Sequence, residues 1–443
     1  MKPRQVLIFI ACVMVCLGAL CFVLPGCISV GDKTLRWPTL AEVLDNEEHI
    51  ALVDSIELTE AMDSLENPIS AEAPDSIVIP DEPKPQPVIA PKVAVDSTTD
   101  SRIFLHSFYA SLAQTDTRKV RVLHYGDSQI EEDRMTQQIR EQFQKKYGGK
   151  GVGLLPLAQT IPTRTVKQQL YMNGRLVQPT QGPRRYLVYS FKRDQRADGL
   201  YGPMGQMAMM NDSLVKGSEE ITAICTPQGN EWKYDQWQVY ADTSVHYTTS
   251  GDTVFLSGRG AVYGLSQESE TGVIVDNIPM RGCLGLVFTK MDKNQLTTFY
   301  REQDVRLIIM QYGGNAIPSN KNPGTIQAIV SGLREQVQFI KSCAPEASIL
   351  FIGPSDMLTQ VDGEWTTYPM IPYMDKLLRK MAMEEEIAYF SLYRWMGGAG
   401  SMARWQEAGL AGSDGVHFHR SGARKAGNAV AEWILAGEKE VTE

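Results

Sequence analysis

The sequence predicts an α/β protein: a parallel sheet with helices on both faces, interrupted by a β-rich insert. Three observations predict it. Apolar strand-like runs alternate with amphipathic helical periods at both ends of residues 101–443. The middle, about 158–278, carries short strand-like runs and no helical period. The first hundred residues have a composition unlike the rest.

Lys2 and Arg4 precede an unbroken apolar run from Val6 to Leu24, about long enough to cross a bilayer. Positive residues at its start place the N-terminus in the cytoplasm and the remainder outside it. Residues 1–30 are therefore expected to be an uncleaved inner-membrane anchor. The alternative is a lipoprotein signal, because Leu24-Pro25-Gly26-Cys27 resembles a lipoprotein box in which Cys27 would be lipidated. Residues 31–100 hold 16 acidic and four basic side chains, eight prolines and a single aromatic, Trp37. Such a segment buries too little apolar surface to offset its ordering entropy, so a largely disordered, partly extended tether is expected.

The net charge of −9 is concentrated in that tether, which carries −12. The globular remainder is nearly neutral, which argues against nucleic acid and favours an uncharged or hydrogen-bonded substrate. Four of the seven cysteines lie in the N-terminal apolar stretch; Cys225, Cys283 and Cys343 are too few and too scattered for a disulfide framework or a zinc site. One disulfide stays open as an alternative. No metal and no cofactor are expected.

The first strand is 119-KVRVLHY-125, and the helix after it is 133-DRMTQQIREQFQKKYGG-149, with Met135, Ile139 and Phe143 on one face. Gly148-Gly149 stops it, which is a better reading of 148-GGKGVG-153 than a phosphate loop. The alternation resumes with strand 305–312, helix 324–343, strand 348–355, helix 372–387, strand 388–393 and helix 421–437. Between them lie the runs 185–191, 219–225, 236–242, 253–258 and 260–266, separated by Gly, Asn, Asp and Ser, which suggest a small inserted β-sandwich. The expected division is 101–157 with 279–443 as the α/β domain and 158–278 as the insert. The insert's aromatics, including Trp232, Tyr234, Trp237, Tyr240 and Tyr247, suit core positions better than sugar stacking.

The chemistry concentrates in three short stretches. Gly126-Asp127-Ser128 follows the first strand, where a serine hydroxyl is exposed at the sheet's carboxyl edge. It is also good helix-capping chemistry. Asp414 and His417 are three apart before the last helix, a spacing that delivers a base with the carboxylate that orients it. His419 is the rival base, two residues on but farther from Asp414. Asn315, in 311-QYGGNAI-317, follows another apolar strand and could donate to an oxyanion. His124 reads as a core residue, and Glu131-Glu132-Asp133 as acids suited to the dipole of the helix they open.

In this order the stretches resemble the SGNH hydrolases, the GDSL-type esterase and lipase superfamily. Gly126-Asp127-Ser128 matches the first block, Gly313-Gly314-Asn315 part of the third, and Asp414-Gly415-Val416-His417 the last. The second block's glycine falls in 281-RGCLG-285, with Gly285 first and Gly282 close behind. Gln129 replaces the motif's Leu, and Ala316 stands where the third block usually has Asp. The resemblance implies a flavodoxin-like three-layer α/β/α fold. It also implies a Ser128–His417–Asp414 triad and an oxyanion hole of Ser128, Gly285 and Asn315. The expected function is a membrane-tethered esterase, outside the cytoplasm, removing O-acetyl groups from a carbohydrate. An O-acyltransferase using the same triad, beside a membrane-bound acyl donor, is one alternative; a catalytically inactive glycan-binding scaffold is the other.

Overall fold

The computed structural model describes residues 27–30, 33–36, 100–156, 163–172, 174–177, 221–227, 237–241, 245–258, 262–361 and 363–442. The apolar run Val6–Leu24, most of the tether and the expected strand at 185–191 lie outside these residues. Among the described residues no helix is long and apolar enough to cross a membrane. The chain divides into two units, Met1–Ala90 and Pro91–Glu443. The first unit holds an antiparallel hairpin, β1 (Cys27–Val30) and β2 (Lys33–Arg36).

In the second unit the strands are β3 (Lys119–Gly126), β4 (Gly153–Leu155), β5 (Val166–Met172), β6 (Arg175–Val177), β7 (Ile221–Pro227), β8 (Trp237–Ala241), β9 (Val245–Ser250), β10 (Thr253–Gly258), β11 (Val262–Gln267), β12 (Gly272–Pro279), β13 (Val305–Gln311), β14 (Ser348–Gly353), β15 (Leu358–Val361), β16 (Glu364–Thr367) and β17 (Ala388–Ser391). The helices are α1 (His106–Leu112), α2 (Thr136–Tyr147), α3 (Lys293–Glu302), α4 (Pro323–Cys343), α5 (Ile371–Glu384), α6 (Leu392–Met396), α7 (Ser401–Glu407) and α8 (Arg420–Thr442).

The central sheet has the order β12-β3-β13-β14-β17, and every neighbouring pair is parallel. Among these five strands that is the 2-1-3-4-5 order of a doubly wound sheet. Its strands are apolar on both faces, as a sheet covered twice requires. In β13, Ile308 and Met310 join a core with α3, α4 and α5. Leu307 and Ile309 join a second core with α1, α2 and α8. The three-layer α/β/α expectation holds.

The insert consists of two antiparallel sheets, β6-β5-β7-β10-β9 and β4-β11-β8. Leu155, Trp237 and Leu265 from the smaller sheet pack with Val166, Cys225 and Val254 from the larger, forming a third core between them. Its boundaries need correction. Strand β12 pairs with β3 in the parallel sheet, so 272–279 belongs to the α/β domain and not to the insert. Conversely, β4 pairs with β11, so 153–155 belongs with the insert. Composition hid both, because a short apolar strand does not show whether its partner runs parallel.

A buried charge cluster joins the two parts. Arg121 of β3 donates to both carboxylate oxygens of Asp276, at 3.0 and 2.8 Å, and is also bonded to Glu268. Asp276 Oδ1 accepts the Leu154 N–H of the insert at 2.9 Å as well. All three charged side chains are buried. Cys225, Cys283 and Cys343 are free and buried. The open disulfide alternative is therefore not realised among them.

Candidate active site

The strand register brings the motif residues together. Gly126, the last residue of β3, lies opposite Pro279 of β12 on one side and Gln311 of β13 on the other. Three strands therefore end side by side, and the segments leaving them carry Ser128, 281–285 and Asn315. Crevices of doubly wound sheets open at this edge, next to the point where the strand order reverses.

Ser128 follows Asp127, whose carboxylate accepts the Gln129 N–H at 3.0 Å and caps the 3-10 turn Ser128–Asp133. The capping and nucleophile readings are thus compatible: Asp127 caps, and Ser128 is left half-buried at the opening. Its Oγ lies 2.8 Å from His417 Nε2. His417 Nδ1 lies 2.6 Å from Asp414 Oδ2. The other Asp414 oxygen accepts the Val416 and His417 N–H groups, at 2.9 and 3.0 Å. Burial raises the Asp414 pKa, but the bond and charge of His417 and these two N–H groups outweigh it, so the carboxyl sits below its ordinary value. The proton on Nδ1 is thereby held by a carboxylate, and Nε2 is left to accept from Ser128.

The histidine loop is closed on itself. Gly412 N–H donates to the His417 carbonyl at 2.8 Å, and Ala411 bridges Phe418. Leu358 packs so closely over Gly415 (φ +70°) that a Cβ there would lie 2.9 Å from the Leu358 Cβ. His419 instead faces the next element: its N–H donates to the Leu410 carbonyl, and its carbonyl accepts from Ala423 at the start of α8. Of the two histidines, His417 is the one bonded to Ser128.

Asn315 Nδ2 donates to Asp127 Oδ2 at 3.1 Å and to the Cys283 carbonyl at 3.2 Å. The amide thus stands between the nucleophile turn and the 281–285 segment. Gly285 is placed differently from the sequence expectation. It is buried, its N–H donates to Cys283 Sγ at 3.2 Å, and the Tyr312 ring occupies the space where its side chain would be. With φ +84° and that neighbour, it is a packing glycine whose N–H is already engaged. Gly282 is half-buried, and among the described residues its N–H has no hydrogen-bond partner.

Two contacts and one perturbed carboxyl around the triad had no local signal in the sequence. Gln129 Nε2 donates to the Val416 carbonyl at 2.7 Å, tying the nucleophile turn to the histidine loop. The replacement of the motif's Leu therefore adds a positioning contact. Buried Glu131 accepts from Arg281 Nε and Nη2, at 2.9 and 2.7 Å, holding the segment that carries Gly282. Asp127 is itself unusual: burial pushes its carboxyl up to about 6, with the Glu131 charge adding to it, against the Gln129 N–H and His417, which lower it.

The acids after Ser128 do not open the helix as expected. α2 starts only at Thr136, and Glu132 and Asp133 have φ of +59° and +63°. They serve as anchors: Glu132 pairs with Arg134 and Arg164, and Asp133 with Arg140. His124 is a core residue. It is fully buried between Gln311 and Thr136, and burial lowers its pKa to about 4, so the ring is neutral. Trp237 and Tyr240 are buried, as expected of core aromatics, whereas Tyr247 on β9 is exposed and departs from that expectation; Trp232 and Tyr234 lie outside the described residues.

No protein-family model and no curated protein matches the chain. Solved structures do. A peptidoglycan O-acetylesterase matches at a TM-score of 0.57 and 18% identity, covering 78% of this chain and 98% of its own. Est24, a carbohydrate acetylesterase from Sinorhizobium meliloti, matches at 0.27 and 16%, covering 37% of this chain and 79% of its own. An acetyl xylan esterase, AlAXEase, matches at 0.26 and 14%, covering 37% and 81%. Of these three, the first likeness extends over most of the chain, and at its identity it bears on fold alone. With the doubly wound sheet and the ordered motif blocks at its carboxyl edge, the chain has the SGNH hydrolase fold.

Proposed function

We propose that this protein is a serine esterase that removes O-acetyl groups from a carbohydrate. The observation that carries the reading is the continuous hydrogen-bond chain Ser128 Oγ–His417 Nε2–His417 Nδ1–Asp414 at the open edge of the sheet. His417 takes the Ser128 proton as Oγ attacks the ester carbonyl. The tetrahedral intermediate collapses to an acetyl-enzyme, and the sugar oxygen leaves with the proton returned by His417. Water, deprotonated by the same nitrogen, then releases acetate and restores Ser128.

The developing oxyanion needs donors aimed at it. The Ser128 and Gly282 N–H groups suit that role, and Gly282 is preferred to Gly285 because the Gly285 N–H is bonded to Cys283. Asn315 supplies the third donor when its 3.2 Å contact with the Cys283 carbonyl gives way to substrate. Loss of one such donor typically costs about 10²–10³ in rate.

The substrate class is supported by the neighbour described as a peptidoglycan O-acetylesterase, and by the lack of a charged surplus in the globular part. The N-terminal apolar run supports a site outside the cytoplasm, tethered to the membrane by residues 31–100. The test is labelling with a serine-directed fluorophosphonate, together with acetate release from an O-acetylated glycan. Both signals should be present in the wild type and absent in Ser128→Ala. Acetyl transfer to a sugar acceptor, without acetate release, would make the protein a transferase. Absence of labelling in folded wild-type protein would make it an inactive scaffold.

A further inference from the structure

We propose that Trp365, on a hairpin fastened to the catalytic loop, is a sugar-stacking platform, a subsite for a neutral pyranose ring of the same glycan whose acetyl group is removed at the triad. The proposal rests on the carbohydrate reading above and deepens it. Trp365 lies on β16 of the β15–β16 hairpin, which rises from the carboxyl end of β14. At 55% exposure it is the most exposed large hydrophobic side chain among the described residues. There its ring meets no other ring and its Nε1–H has no partner, whereas Trp395, Trp405 and Trp433 are each packed against aromatic neighbours.

The hairpin is fastened to the catalytic loop. Leu358 N–H donates to the Gly415 carbonyl at 2.9 Å, and the Leu358 side chain covers Gly415, between Asp414 and His417. At the hairpin's base Asp356 accepts from Thr367 Oγ1 at 2.9 Å and from the Met402 N–H at 2.9 Å, so the anchor is rigid. Trp365 stands directly opposite Gln360. Gln360 is two residues from Leu358, so Leu358, Gln360 and Trp365 share one face of the hairpin. The indole is thus carried on the face whose base meets the catalytic loop, about 7–9 Å along and across the strands from Leu358.

The chemistry of the patch selects its occupant. A pyranose presents an apolar C–H face and a polar rim, which match an indole with the Gln360 amide opposite. A second protein would need about 800 Å² of surface, far more than the indole and Val361 on this hairpin offer. Glu364 beside it disfavours an anionic membrane surface.

The test compares full-length wild type and Trp365→Ala on p-nitrophenyl acetate and on O-acetylated peptidoglycan. The small ester should be hydrolysed equally by both. On the polymer KM should rise roughly tenfold, with partial recovery in Trp365→Phe. Equal kinetics on the polymer would overturn the proposal. An equal fall on both substrates would also overturn it, since Trp365 would then act on the catalytic loop. A wild type that cleaves neither ester would sink the esterase reading instead. In that case, binding of deacetylated peptidoglycan by Ser128→Ala, with and without Trp365→Ala, decides the subsite: loss of binding supports it, and unchanged binding removes it.

Discussion

Two hydrogen-bonded clusters in this chain differ in setting and in what they do. At the junction of sheet and insert, Arg121, Glu268 and Asp276 are sealed from water, with Arg121 bonded to both carboxylates. At the carboxyl edge, His417 and Asp414 keep about a third of their side chains exposed, and Ser128 faces the opening. The first cluster spends its hydrogen bonds on holding two sheets together. The second leaves a hydroxyl bonded only to a base that can take its proton. Burial with charges paired to one another gives structure; partial exposure with an oriented base gives chemistry.

The largest expected break in the comparison is at the edge. Replacing His417 by Ala should lower kcat on an acetyl ester by about 10⁴-fold or more, with no change in thermal unfolding, because triad members act as a unit. His419→Ala should keep most of the activity. Equal losses in the two variants would remove His417 from its role.

At the junction the effect should run the other way. Removing Arg121 leaves two buried carboxylates facing each other, and breaking such a pair typically costs about 3–5 kcal/mol. Arg121→Met should therefore unfold at a distinctly lower urea concentration, while activity per folded molecule is retained. A variant as stable as wild type but inactive would reverse the assignment of structure and chemistry.

Asp127 stands between the two cases, since it is buried like the junction and placed at the edge. Its folded pKa of about 6 lies above its ordinary value of 3.8. Between these pH values the folded chain keeps a proton that the unfolded chain releases. Stability is therefore fully present below about pH 4 and falls as pH rises through 6, by on the order of 3 kcal/mol. Asp127→Asn should flatten that slope in urea titrations at pH 4, 5, 6 and 7. A slope unchanged in the variant would assign it to other groups.

The smallest effect is expected at Gln129. Restoring the motif's Leu removes the bond to the Val416 carbonyl, a net contribution of about 1 kcal/mol. Gln129→Leu should lower kcat a few-fold by loosening the histidine loop and leave stability within about 1 kcal/mol. An unaltered kcat would show that the loop's own closure suffices.

The features legible in the sequence were those with a local pattern. Strands β3, β13, β14 and β17 read as apolar runs because both their faces are buried, and α4 announced itself by its helical period. Ser128, His417 and Asp414 were legible because each sits at a strand end or before a helix, next to residues that make turns. Short helices such as α1, α6 and α7 carry too few turns for a period to register. β12 was assigned to the wrong side of the boundary because nothing within it records its parallel partner. Contacts such as Glu131 with Arg281, 150 residues apart, leave no local trace. Gly285 was preferred to Gly282 for the same reason: which backbone N–H is engaged depends on the folded position of the Cys283 sulfur.

The central claim is that Ser128, activated by His417, takes the acetyl group. The most direct measurement is mass spectrometry of the protein quenched during turnover of an acetyl ester, with acetate release followed in parallel. One acetyl group on the peptide containing Ser128, present in wild type and missing in Ser128→Ala, is the predicted result. Acetate release at the wild-type rate by Ser128→Ala, or an acetyl group carried on another residue, would contradict it.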